Sequence, residues 1–107
     1  MIVNSISDLN MHDSELLRVL IERTEVTMFL DYIEEYDPLK SSPKKLVFRE
    51  CTNLVLTTHL GYASPDSILA AEEINLGSSG RKFRITTNTT ATTIEIIANI
   101  IELIDVE

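Results

Sequence analysis

The chain has 107 residues, 44% of them apolar, and sets 9 Lys+Arg against 17 Asp+Glu for a net charge of −8. A chain this long buries roughly two-thirds of its unfolded surface, enough for one self-sufficient core and too little for a second domain. Ordinary apolar content excludes intrinsic disorder. The acid surplus argues against nucleic acid or an anionic membrane as partner, because phosphate is held by clustered Lys and Arg.

The basic residues stand singly or in the pairs Lys44-Lys45 and Arg81-Lys82. A basic protein, by contrast, would be steered in by such a field. The lone Cys51 can form no intramolecular disulfide, and a structural zinc site lacks its sulfurs. A buried, inert thiol is its expected state. Residues Met1 to Asn10 carry no export signal. The most apolar run, Ile94 to Ile104, is interrupted by Glu95, Asn99 and Glu102 and falls short of the roughly 20 residues a membrane span needs. A reducing, cytoplasmic setting is therefore expected, and the sequon Asn88-Thr89-Thr90 reads as coincidence.

In chain order, Glu15 to Arg23 alternates as a strand, with Leu17, Val19 and Ile21 on one face and Arg18 and Glu22 on the other among Leu16 and Leu20. A second strand sets Val26, Met28, Leu30 and Tyr32 against Thr27, Phe29, Asp31 and Ile33, joined to the first by a tight turn at Arg23-Thr24-Glu25. A helix competes over Thr27 to Tyr36, where Met28, Tyr32 and Glu35 also recur at helical spacing. Tyr36 to Pro43, with two prolines and two serines, reads as a loop. Leu46 to Phe48 and Leu54 to Leu60 read as strands around a bend or bulge at Glu50-Cys51-Thr52-Asn53, and Gly61 closes the block.

Ser64-Pro65-Asp66 has the form of a helix start, with an oxygen cap, a proline and an acid at the positive end of the dipole. The pattern predicts a helix over Ser67 to Leu76 stopped by Gly77, with an edge strand as the alternative over Ile68 to Ile74. After a turn at Gly77 to Gly80, Lys82 to Thr87 alternates as a strand, and the Thr-rich Asn88 to Thr93 turns again. The tail, Thr93 to Asp105, fits a helical stripe and a strand equally well by periodicity. Nine of the fifteen residues from Thr92 to Val106 are β-branched, which favours a strand buried on both faces, bent near Ala98-Asn99.

Asp8 to Leu16 is the most distinctive passage. His12, Asp13 and Ser14 invite a catalytic-triad reading, but in extended chain His12 and Ser14 share a side while Asp13 points away. Triads draw their members from separated segments. The structural reading is the stronger: Asp13 and Ser14 suit a turn delivering the chain into its first strand, with His12 packed against a sheet edge. His12, Asp13 and His59 with a carboxylate such as Glu50 could compose a metal shell, although no His-x-x-x-His or His-x-x-Glu spacing demands one. Cys51 beside His59 is a weaker nucleophile pair, since apolar surroundings raise a thiol's pKa. The run Gly77-Ser78-Ser79-Gly80 lacks the Lys-Ser/Thr of a phosphate loop.

Glu34, Glu35 and Asp37, with Glu72-Glu73 and Asp105-Val106-Glu107, read as a solvated rim or as a docking patch for a basic protein. Tyr32, Tyr36 and Tyr62 are the candidate anchors of that patch.

The passage Asp8 to Leu16, with Leu46 to Cys51 and the terminal Ile94 to Ala98, resembles a group of small bacterial proteins of unknown function that carry a His-Asp-Ser start. Some of these are similar to immunity proteins of polymorphic toxin systems. Where that group has Trp before the His, this chain has Met11. The resemblance implies a compact, largely antiparallel sheet protein and carries over no catalytic residues.

The expected fold is a single α+β domain over residues 1–107, mainly an antiparallel sheet of five or six strands with one or two short helices. The expected function is non-enzymatic and cofactor-free: an immunity-like interaction domain that binds a basic partner through its acidic rim. The alternative is a small-molecule or metal-binding protein using His12, Asp13 and His59. A homodimer through the Ile-rich tail or an exposed edge is a third option.

Overall fold

A computed structural model describes residues 1–34, 41–59 and 66–106. Over these the chain forms eight strands: β1 (Glu15–Glu22), β2 (Glu25–Ile33), β3 (Ser41–Arg49), β4 (Asn53–Thr57), β5 (Ile68–Asn75), β6 (Arg81–Thr87), β7 (Thr93–Ala98) and β8 (Ile100–Asp105). They make two four-stranded antiparallel sheets, ordered β1-β2-β3-β8 and β4-β7-β6-β5. Among the described residues the helical content is two single 3-10 turns, Ile6–Asp8 and Gly77–Ser79. The α+β expectation is thereby corrected to an all-β architecture with eight strands rather than five or six. None of the described helical segments is long and apolar enough to cross a membrane.

The helix expected over Ser67 to Leu76 is strand β5, the outer strand of its sheet. The acid of its supposed cap explains the difference. Asp66 spends its carboxylate on another segment, accepting from the Thr89 and Thr90 amides at 3.1 Å each and from Thr90 Oγ1 at 2.7 Å. It therefore organises the Thr-rich turn before β7 instead of opening a helix. The remaining cap residues, Ser64 and Pro65, lie outside the described residues, as do Leu60 and Gly61 and the first part of the proline loop.

That loop was expected to run to Pro43, yet Ser41 to Pro43 belong to β3. Pro43 sits at the end of the β3–β8 ladder, where its carbonyl still accepts from Val106 and its missing N–H removes only a terminal bond.

The first hairpin forms as expected over a two-residue turn, Arg23-Thr24, with Arg23 at φ 53°. On β2 the inner face is Val26, Met28, Leu30 and Tyr32. On β1 the face of Leu17, Val19 and Ile21 is not buried as one. A bulge between Leu16 and Arg18 shifts the phase, so Leu16 and Val19 pack on the core while Leu17 and Ile21 are left exposed.

The tail is extended but does not lie in one layer. It breaks at Asn99, so that β7 belongs to one sheet and β8 to the other. Its buried positions run Ile94, Ile96, Ala98 and then Ile101 and Leu103, a change of parity at Asn99 that keeps apolar side chains pointing inward on both sides of the break. Its neighbour turns with it: β3 passes to β4 through Glu50, at φ 56°. Hydrogen bonds from Asn99 N to Arg49 O (3.2 Å) and Thr52 N to Ile97 O (2.9 Å) hold the two chains together around this corner. Between the layers, the rings of Phe48 and Phe83 meet edge to face at 5.2 Å, joining sheet to sheet.

Gly80 sits against the corner at φ 105°, and a Cβ there would stand 3.1 Å from Asn99 Oδ1 and 3.3 Å from Ile97 Cγ2. The first residues of the chain complete the core. Ile2 bridges to Glu102 on β8, and Val3, Ile6, Leu9 and Met11 are buried. Glu73 grips this segment, accepting from Ile6 N at 2.9 Å and from Arg81 at 2.9 and 3.0 Å, while Arg81 also donates to Asn4 O at 2.8 Å. Burial alone would raise the Glu73 carboxyl's pKa; the bonds from Arg81 and Ile6 outweigh it and hold the group below its ordinary range.

Two outcomes follow. Gly80→Ala forces a side chain into a backbone region of positive φ and should cost about 1–3 kcal/mol in urea unfolding. A carboxylate with a depressed folded pKa contributes stability that is complete above its unfolded value, 4.5, and lost as pH falls through the lower folded one. Glu73→Gln should therefore be less stable than the parent at neutral pH and show a shallower loss on acidification below 4.5, read as melting temperature against pH.

Candidate functional site

The His12-Asp13-Ser14 passage is where the two sheets are fastened at the start of β1. Asp13 adopts φ 70°, a left-handed conformation that Asp tolerates, and its N–H donates to Ile68 O at 2.9 Å. Ile68 N donates back to Ser14 O at 2.7 Å, Leu16 N to Asp66 O at 2.9 Å, and Glu15 bridges to Ser67. Ser14 is fully buried: its hydroxyl donates to Asn10 O at 2.9 Å and accepts from Ile33 N at 3.0 Å. Both of its hydrogen-bonding roles are thus spent on backbone, which leaves no free nucleophile.

His12 is exposed on the rim of this joint, with Nδ1 2.9 Å from Leu69 O and Nε2 3.5 Å from Asp13 Oδ1. Met11, just before it, fills a core position.

His59 stands elsewhere, with Nδ1 3.0 Å from Thr90 O. It lines a cleft of about 390 Å³ between β1 and the end of β4, whose walls include Leu16, Leu17, Val19 and Leu56 and whose polar end is Thr58, Asp66, Thr90 and Thr92. His12 is not among the lining residues. Among the described residues no three His, Cys, Asp or Glu side chains are grouped closely enough to hold a metal ion. Glu50 is exposed at the β3–β4 corner. Cys51, half-buried beside it, donates to Phe48 O at 3.3 Å, and burial pushes its thiol pKa up. It borders a separate, smaller cleft with Ile21, Val26 and Leu54, so the Cys51–His59 pairing is not assembled there.

Of the candidate anchors and the acids of Glu34 to Asp37, Tyr32 and Glu34 are described. The Tyr32 ring is only 9% exposed, and its hydroxyl accepts from Asn10 N at 2.7 Å. It is a core residue that positions the fastening segment, and its ring is not presented to a partner. Glu34 is at the surface beside Lys44, whose Nζ lies 3.2 Å from Glu34 Oε1 and 2.7 Å from Asp105 Oδ1. Asp31, opposite Pro43 in the ladder and so on the other face of the sheet from Lys44, accepts from Ser41 Oγ at 3.2 Å. Hydrogen bonds from Ser42 and Lys44 hold Glu34 below the usual carboxyl range, and Lys44 does the same for Asp105. Glu35, Tyr36, Asp37 and Tyr62 lie outside the described residues.

Two features escape a reading of the sequence. The role of Asp66 is one, since an Asp after a proline signals a cap without saying whose amides it caps. The placement of Asp105 beside Glu34 is the other, set by the β3–β8 register, which pairs Lys44 with Asp105.

No family model matches the chain, and a search of curated proteins returns no match. Ser14→Ala removes the acceptor of a buried amide and should cost about 1–3 kcal/mol in chemical denaturation. A change near zero would contradict the structural role of that hydroxyl.

Proposed function

We propose that this chain is a non-enzymatic protein-interaction domain, immunity-like in kind, that holds a basic protein partner on an acidic surface. The observation that supports it most is the local charge around Lys44. Glu34 and Asp105 gather about a single ammonium and are themselves 48% and 78% exposed. With depressed pKa values these two stay ionised through neutral and mildly acid pH.

The rest of the charge distribution acts in the same direction. Arg49 is engaged by Glu102 and Glu25, Arg81 by Glu73, and Lys82 and Arg84 by Glu95. Much of the positive charge is therefore neutralised within the fold, and the surplus of carboxylates is what an approaching molecule meets. Such a field raises association rates and selects for guanidinium- or ammonium-rich surfaces.

Pull-down from the native host should recover a defined basic protein whose binding weakens as salt rises. The double variant Glu34→Lys, Asp105→Lys should reduce that affinity on the order of tenfold, chiefly through slower association. Capture that ignores salt and both substitutions would remove the reading.

A further inference from the structure

Each sheet has two outer strands, and three of the four are protected by familiar devices. β1 is bulged and carries Glu15, Arg18 and Glu22. β5 is bulged between Ile68 and Ala70 and carries Glu72 and Glu73. The edge of β8 is covered by the Met1–Val3 segment through the Ile2–Glu102 bridge. β4 has none of these: Asn-Leu-Val-Leu-Thr contains no charge and no proline, and its ladder is regular. Among the described residues its ladder neighbour is β7 alone, and Val55 and Leu56 are 52% and 42% exposed. An uncharged, apolar edge with a regular ladder is a template for another strand.

We infer that the β4 edge pairs with β4 of a second copy of this chain, antiparallel about Val55, to make one eight-stranded sheet across a two-fold axis. The charges choose this occupant. Centred on Val55, the register sets Asn53 against Thr57 and Leu54 against Leu56, so every opposed pair is neutral. The nearest acid in the adjoining strand is Glu95, which pairs with Val55 in the ladder and is held by Lys82 at 3.5 Å and Arg84 at 3.8 Å. β4 itself is thus uncharged in a chain of net charge −8. A basic partner would find no carboxylate on β4 itself and would meet Arg18 and Arg23 across the clefts that flank it, whereas a second copy meets an identical neutral strand. The same pairing of β1 with itself would place Glu15 opposite Glu22, a repulsion that β4 avoids. Across the axis Leu56, exposed in the single chain, would lie against Leu54, which already packs on the core.

The inference is independent of the basic-partner reading, and salt separates the two. Self-association through neutral strands is opposed only by the mutual repulsion of two acidic chains, so it strengthens as salt screens that repulsion. Sedimentation equilibrium of the full chain should show a monomer–dimer equilibrium that shifts toward dimer with rising salt. Val55→Lys sets two ammonium groups across the axis and should raise the dimer Kd tenfold or more, while Val55→Thr and the control Leu69→Lys, at an exposed position of β5 on the far edge of the same sheet, should leave it within about threefold. Far-UV circular dichroism of each variant establishes that it is folded. A monomer at all concentrations and salts, or dissociation by Leu69→Lys and not by Val55→Lys, would overturn the inference.

Discussion

The structure depends on one bent ribbon. β3–β4 and β8–β7 run antiparallel through a shared corner, so each chain contributes a strand to both sheets. Two layers joined in this way cannot slide past one another without breaking main-chain bonds, and the inner face must be kept on both sides of the bend. A strand's side chains alternate with a period of two, so a turn between layers needs an odd residue to restore the inward face. Asn99 supplies it on one chain. On the other, Glu50 takes a left-handed conformation at the same level. Gly80 lies against Asn99 and Ile97 at this corner, where its positive φ would strain any side chain and a Cβ would press on both neighbours. The aromatic contact of Phe48 with Phe83 then fills the space the corner encloses.

How much of this could be read beforehand varies with the kind of signal. The β2 face, Val26 to Tyr32, was legible because strict alternation in a regular strand says directly which side is buried. The β1 face was not, because a bulge is a property of pairing and leaves no mark in a run of aliphatics such as Leu16, Leu17, Val19, Leu20 and Ile21. Composition identified the tail as extended, since β-branched side chains suit a pleat. It could not show that β7 and β8 belong to different layers, because apolar residues occupy both parities on either side of Asn99. The cap before β5 misled for a related reason. Ser-Pro-Asp describes the chemistry of an amide acceptor, whereas the amides Asp66 accepts from, on Thr89 and Thr90, are brought to it by tertiary structure.

The candidate site divides along the same line. The His12-Asp13-Ser14 passage was conspicuous in the sequence, and the structure gives it work in fastening the layers, with Ser14 wholly occupied by Asn10 and Ile33. The surface features that bear on recognition come from neighbours distant in sequence: Lys44 between Glu34 and Asp105, and an uncharged β4 beside a Glu95 already engaged by Lys82 and Arg84. Charge counting anticipated an acidic molecule. It could not distribute the acid, because which carboxylates are neutralised within the fold is decided by strand register.

The buried opening segment has a bearing on how the chain comes to be folded. Ile2 meets Glu102, a partner made about a hundred residues later, and Ile6 waits on Glu73. The hairpin β1–β2 needs only its own two-residue turn, whereas burial of Val3, Ile6 and Leu9 needs strands far along the chain. Contacts of such long sequence separation must first close a long loop, which makes them slow to form.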